Sequence, residues 1–277
     1  MKRILAIEIK RAFTSKGMII SFAFCMAIAM HQFIMYPQVG NNNSMFDTLV
    51  AQDRAGMSLP DYLWGAWIGG DAYLFHGYLY FLIIPILAAL PFGSSYLQDT
   101  KGGYVKNVFT RTPRWKYYLS KWIATFLSGG CVVIVPLILN FLLMTTIYSS
   151  MGPYPETFHT LIVSTSMLAD LFYTNPFQYV FLYFVMIFVF SGLFATMSLL
   201  VTCLSDYSFI VLLLPFLAIL LASMILNLFG CDFLSPQQFL NPSYGKGAPL
   251  VIAIEAAVFF ALSFAPFFLR GVRGKDF

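Results

Sequence analysis

The stretch YSFIVLLLPFLAILLASMILNLF, residues 207–229, runs 23 positions without a charged side chain. As an α-helix it is roughly 34 Å long, enough to cross a hydrocarbon layer of about 30 Å. It is apolar around its whole circumference, whereas a helix at the surface of a soluble protein keeps a polar face. GMIISFAFCMAIAMHQFIMY, residues 17–36, reads the same way. Working outward, charge-free apolar runs fall at about 18–36, 73–92, 122–147, 177–203, 207–229 and 249–269. They predict six spans, in an all-α integral membrane bundle that fills residues 1–277 as a single domain. The division between the fourth and fifth rests on hydropathy alone, because the connection at Ser205 and Asp206 holds no basic residue. Composition agrees: 59% of residues are hydrophobic and only 10% charged, against about 25% in a soluble domain. A water-soluble globular fold is excluded.

Orientation follows from the cations, since basic loops are retained on the cytoplasmic side. Fourteen of the 16 Lys and Arg lie before the first span, between the second and third, or after the sixth. The other side has only Arg54 and Lys246, with seven acidic residues. Both termini are therefore expected to be cytoplasmic, at the plasma membrane of a bacterial-type cell. The first apolar run starts late and has no small-x-small cleavage site, so it is expected to remain as an anchor. Residues 1–16 place Leu5, Ile9, Ala12 and Phe13 at helical spacing, the pattern of an interfacial helix, or else form a plain basic flank. In the 37–72 loop, Trp64 and Trp67 suit an aromatic belt at the outer surface.

Several chemistries drop out. The net charge of +4 forms no continuous stripe for nucleic acid. No glycine spacing cradles a phosphate, so the chain is not expected to bind ATP, and no cofactor or metal is expected on it. Hydrolase and zinc motifs are absent, and Cys25, Cys131, Cys203 and Cys231 are too scattered for a disulfide or a metal. An enzyme is not expected.

The informative segment is SSYLQDTKGGYVKNVFTRTPRWKYYLSKW, residues 94–122, which mixes six cations with aromatics. It holds a short helical stretch, Tyr104 to Phe109, between Gly102-Gly103 and Pro113. Val105, Val108 and Phe109 share one face, which would either lie on anionic lipid or meet a partner protein.

This segment resembles the loop between spans two and three of type-2 ATP-binding-cassette (ABC) exporter permeases. There an acidic residue precedes glycine and a short coupling helix, and an Arg-x-x-Tyr-x-x-x-Lys element opens the third span. Here these are Asp99, Gly102 or Gly103, residues 104–110, and Arg114, Tyr117 and Lys121. Residues 195–218, including Pro215, and the ending RGVRGKDF are also similar to the family's, while Asp206 stands where members often place a cation. The resemblance implies a six-span permease paired with a second copy or a related chain. It also implies separate ATPase subunits that carry ATP and its Mg, with residues 99–121 as the ATPase-coupling element. The Phe, Tyr and Met content fits hydrophobic or amphipathic cargo, a peptide before a drug or a lipid. An ATP-independent transporter or channel, or a sensor that transports nothing, would need no such loop.

Within the spans, Glu255, His31 and His76 are candidates for a translocation path. Glu255 lies about 9 Å from the outer end of its helix and could instead be snorkelled or structurally paired. The small-residue pairs Ser191/Ala195 and Gly192/Thr196 predict a helix-packing seam, within the chain or between two copies.

Overall fold

The computed structural model describes residues 2–39, 63–70, 74–148, 150, 152–153, 162, 166–244 and 247–273. The polar run at 41–44 and the basic Arg54, Lys246 and Lys275 lie outside them. The described residues form helices α1 (Lys2–Phe13), α2 (Lys16–Val39), α3 (Leu63–Ala66), α4 (Phe75–Ala89), α5 (Ser95–Lys101) and α6 (Tyr104–Phe109). These are followed by α7 (Arg114–Met144), α8 (Ala169–Thr174), α9 (Pro176–Val201), α10 (Ser208–Leu228), α11 (Pro236–Phe239) and α12 (Pro249–Arg273). No strand occurs among them.

Among the described residues, five helices are long and apolar enough to cross a membrane: α2, α7, α9, α10 and α12. The chain is thus an all-α, multi-pass membrane protein by length and composition. The apolar run at 73–92 yields a shorter helix than its sequence suggests. α4 has 15 residues, roughly 22 Å, and it stops at Ala89 because Pro91 follows and the chain turns, with Gly93 N–H donating to the Ala89 carbonyl at 2.8 Å.

α7 and α9 form the centre, while α2, α10 and α12 leave large apolar side chains such as Ile20, Leu221 and Val258 on the outer surface. Small residues set the central contact. A Cβ on Gly192 would sit 2.9 Å from the Phe126 carbonyl oxygen, and one on Gly129 would collide with Ala195. Ser191, Gly192 and Ala195 meet α7 in this seam, and Thr196 is buried as well, so the four pack inside one chain rather than lying on a surface open to a second copy.

One end of the bundle gathers α1, α5, α6, the α9–α10 turn and the last turns of α12. Tyr118 and Tyr96 pack their rings on Phe267 at 5.2 and 5.1 Å. Lys101 donates to the Asp206 carbonyl at 2.6 Å, and Leu97 packs with Val201 and Val211. The break between α1 and α2 is built by Ser15. Its hydroxyl accepts the Met18 N–H at 3.0 Å, capping α2, and donates to the Pro91 carbonyl at 2.7 Å.

At the opposite end the 63–70 segment turns into the protein. Trp64 and Trp67, expected in an aromatic belt, are both 2% exposed and pack on Phe141, Phe172, Phe177 and Phe184. The inward turn is tolerated because its backbone finds partners. Gln32 donates to the Ala66 carbonyl at 2.6 Å and Asn140 accepts the Ile68 N–H at 3.1 Å. Asn140 also donates to the Gln32 side-chain oxygen at 2.8 Å and to the Ala29 carbonyl at 3.1 Å, which ties α2, α7 and the segment together.

Candidate functional site

α1 is amphipathic in an unusual way: the face it turns to the bundle is centred on Glu8 and Ala12, both fully buried. A buried carboxylate needs a cation, and two are supplied. Lys121, near the start of α7 and fully buried, places Nζ 3.0 Å from Glu8 Oε2 and 2.5 Å from Asp99 Oδ2. Arg11, one turn after Glu8 and partly exposed, bonds Glu8 Oε1 at 3.0 Å. It also grips Asp99 with both terminal nitrogens, at 2.5 and 3.1 Å. Tyr117 donates its hydroxyl to Asp99 Oδ2 at 2.9 Å. Two carboxylates and two cations cancel formally, and the bidentate fork fixes their geometry.

Aromatic faces complete the enclosure. The Lys121 ammonium lies 4.3 Å from the Phe92 ring centre and the Arg11 guanidinium 4.7 Å from that of Tyr104. Burial works against a charged Asp99, but the Arg11 hydrogen bonds and the nearby Lys121 charge outweigh it and hold the carboxyl below its ordinary value. The same hydrogen bond to Asp99, opposed by desolvation, raises Arg11 above its ordinary value. Both stay ionised throughout the neutral range.

From Asp99 the chain leads directly into the short helix. α5 ends at Gly102, and Gly103 then adopts φ 71°, a left-handed conformation that costs a residue with a Cβ about 1–2 kcal/mol. That turn redirects α6. Its apolar face points inward: Val105 is fully buried, and Val108 and Phe109 pack against the Tyr117 and Tyr118 cluster, with Phe109 and Tyr117 ring centres 5.8 Å apart. This differs from the expectation that Val105, Val108 and Phe109 face a partner or lipid. The bundle's own aromatic core takes that face, and Lys106, Asn107, Thr110 and Arg111 are left exposed. Arg114 is also exposed, its guanidinium 5.3 Å from the Phe109 ring centre.

The structure therefore brings Asp99, Tyr104, Tyr117 and Lys121 into one cluster, with Gly102 and Gly103 as its hinge. Glu8 and Arg11 belong to it equally and were not singled out in the sequence. Their signal was there: Glu8 is the one acidic residue before Asp47 and shares a helix face with Leu5, Ile9 and Ala12.

The candidate path residues do not join this cluster. His31 Nδ1 and His76 Nε2 lie 2.6 Å apart near the opposite end, His31 exposed and His76 half-buried. Glu255 is half-buried on α12, with no hydrogen-bond or ion-pair partner among the described residues. No group of three or more metal-ligating side chains occurs among them either.

These features define a class, a multi-pass helical membrane protein with a buried ion-pair cluster at one end of its bundle. Compared with family models, with curated proteins and with solved structures, the chain finds no match.

Proposed function

We propose that this chain is the transmembrane permease subunit of an ATP-driven ABC exporter. In this reading it crosses the plasma membrane six times, α4 being the short second crossing, and both termini face the cytoplasm. Two permease copies, or this chain and a related one, pair with two separate ATPase subunits, which bind ATP and Mg. The cargo is hydrophobic or amphipathic, a peptide in the first instance.

The observation that carries the reading is the lock between α1, α5 and α7. Asp99 receives Arg11 from α1 and Tyr117 and Lys121 from α7, immediately before the hinge that launches α6. A push on the outward face of α6 would pass through its apolar packing and the Asp99 contacts into α7, the central helix of the bundle. A loop that only tethered two spans would not need three buried charges, Glu8, Asp99 and Lys121, with a half-buried Arg11 beside them, since their desolvation is costly unless each is paired. Fourteen of 16 cations in the segments assigned to this side support the cytoplasmic placement.

The contact with the ATPase is assigned to the outward polar face, Lys106, Asn107 and Arg111. Replacing Lys106 and Arg111 together with Glu should release the ATP-hydrolysing subunit that co-purifies with the affinity-tagged wild-type chain. Membrane insertion and thermal stability should stay unchanged. If the double variant retains both the subunit and its ATP hydrolysis, α6 is not the coupling element.

A further inference from the structure

A second feature lies at the other end of the molecule. His31 on α2 and His76 on α4 meet across 45 positions of sequence, with His31 Nδ1 and His76 Nε2 2.6 Å apart and the ring centres at 4.8 Å. Each of these nitrogens is aimed at the other ring. The second nitrogens, His31 Nε2 and His76 Nδ1, have no hydrogen-bond partner among the described residues. His31 is exposed and His76 half-buried, so the pair opens to the surface and not into the core. His76 is the second residue of α4, and His31 stands five residues before Tyr36, where the apolar stretch of α2 ends. In the orientation derived from the cations, this is the outer side.

Two neutral imidazoles at this distance share one proton, one ring donating its N–H and the other accepting. If the donor ring moves that proton to its second nitrogen, which no described protein group blocks, both lone pairs face the gap. They then repel unless a cation lies between them, and the cation that takes neutral imidazole as a ligand is a transition-metal ion. Geometry selects among such ions. With metal–nitrogen bonds of about 2.0 Å, the two nitrogens stand about 2.8 Å apart at a right-angled site, about 3.3 Å at a tetrahedral one and about 4 Å at a linear one. The right-angled site asks least of the pair at 2.6 Å: the nitrogens part by a few tenths of an ångström while each ring swings about its Cβ–Cγ bond. His31, being exposed, has room to do so. Tetragonal coordination of this kind belongs to Cu2+ and Ni2+. No third metal-ligating side chain joins the pair among the described residues, so water completes the coordination plane.

We propose that His31 and His76 form a two-ligand site for a divalent transition-metal ion of tetragonal preference, Cu2+ or Ni2+, and that the bound ion ties the start of α4 to α2. The ligands are two neutral imidazoles, so the ion enters a neutral pair without net release of a proton. Hard cations such as Mg2+ and Ca2+, which take oxygen ligands, are not its ions. The site goes beyond the permease reading and does not depend on it, because it shares no residue with the ion-pair cluster.

The test uses the full-length chain in phosphatidylcholine nanodiscs, purified without a polyhistidine tag, with glycine-buffered Cu2+ as the probe. Saturable uptake of one ion per chain is expected, with an electron paramagnetic resonance spectrum split by two imidazole nitrogens. His31→Gln and His76→Gln keep a polar side chain that can still hydrogen-bond. Each should weaken uptake by at least roughly 10- to 100-fold, since even changes outside the ligand set cost that much. His159→Ala removes the only other histidine and should leave uptake unchanged. Excess Mg2+ should not displace the ion. Hydrogen exchange at residues 75–80 should slow when Cu2+ is added to the wild type and in neither Gln variant. The proposal is overturned by absent or non-saturable uptake, by a spectrum without imidazole splitting, by Gln variants that bind as the wild type does, by loss of uptake in His159→Ala, by displacement with Mg2+, or by exchange at 75–80 that ignores the ion. Where a Gln variant fails to accumulate, the wild-type spectrum and the His159→Ala result decide. Loss of the ATP-hydrolysing subunit in the Lys106/Arg111 variant leaves this result untouched, so the two readings fail separately.

Discussion

The two ends of the bundle solve one problem with different chemistry. Each must hold a non-spanning segment, α1 with α5–α6 at one end and residues 63–70 at the other, against the long helices. The first end uses four charges, Glu8, Arg11, Asp99 and Lys121, joined at 2.5–3.1 Å. The second uses two neutral amides, Gln32 and Asn140, bonded to each other and to the backbone at Ala29, Ala66 and Ile68. A neutral network is satisfied once its hydrogen bonds are made. A charged one must also balance charge, so the loss of a single member is felt by all the rest. On the proposed permease reading, the difference suits an end that transmits force between elements and an end that closes the bundle.

The largest effect should follow removal of Lys121. Lys121→Met leaves two buried carboxylates to share Arg11 and should destabilise the protein by about 3–5 kcal/mol, read as a lower unfolding temperature and poor accumulation in the membrane. Combining it with Glu8→Gln restores charge balance and should recover much of the loss. If the double variant is no better than the single, the cluster is not held by charge balance.

Next comes the neutral end. Asn140→Leu strands the Ile68 N–H and the Gln32 oxygen and should cost about 1–3 kcal/mol. Hydrogen exchange should rise at residues 63–70 and stay unchanged at 95–109. A smaller change, about 1–2 kcal/mol, is expected for Gly103→Ala, because the left-handed turn at φ 71° penalises a Cβ although the surrounding space is open. Gly103→Asn, which tolerates that conformation, should lie closer to wild type.

Across ordinary pH the two ends should behave alike. The folded Asp99 carboxyl sits below its ordinary value, so the stability it contributes is complete above the unfolded value of about 3.9 and is lost as pH falls through the lower folded value. The hydrogen-exchange protection factor at 95–109, taken relative to the intrinsic rate at each pH, should therefore be flat from pH 7 to 5 and fall only below about pH 4, while residues 63–70 show no such step. A step near pH 6 at 95–109 would implicate another group.

Apolar runs alone located the long helices, because a 20-residue charge-free segment has few alternatives to a membrane helix. They overestimated α4, where Pro91 cuts the helix short. Asp99, Tyr117 and Lys121 could be singled out because they share one short segment, but Glu8 and Arg11 join them only across 88 to 113 residues, a pairing that periodicity does not encode. The burial of Trp64 and Trp67 was hidden for the same reason: it depends on Gln32 and Asn140, which read locally as stray polar residues in apolar helices. In α6 the periodicity did mark the apolar face, yet it could not say whether that face meets a partner or the chain's own Tyr117 and Tyr118.

If the chain is the proposed permease, α1, α5–α6 and α7 move as one locked unit under the ATPase. Hydrogen exchange on the full complex, compared between the nucleotide-free state and the state trapped with ATP and vanadate, tests this directly. The account predicts that protection changes together at residues 2–13 and 95–109 in the wild type, and that Asp99→Asn confines the change to 104–109. A wild-type response limited to 104–109, with residues 2–13 unaffected, would contradict it.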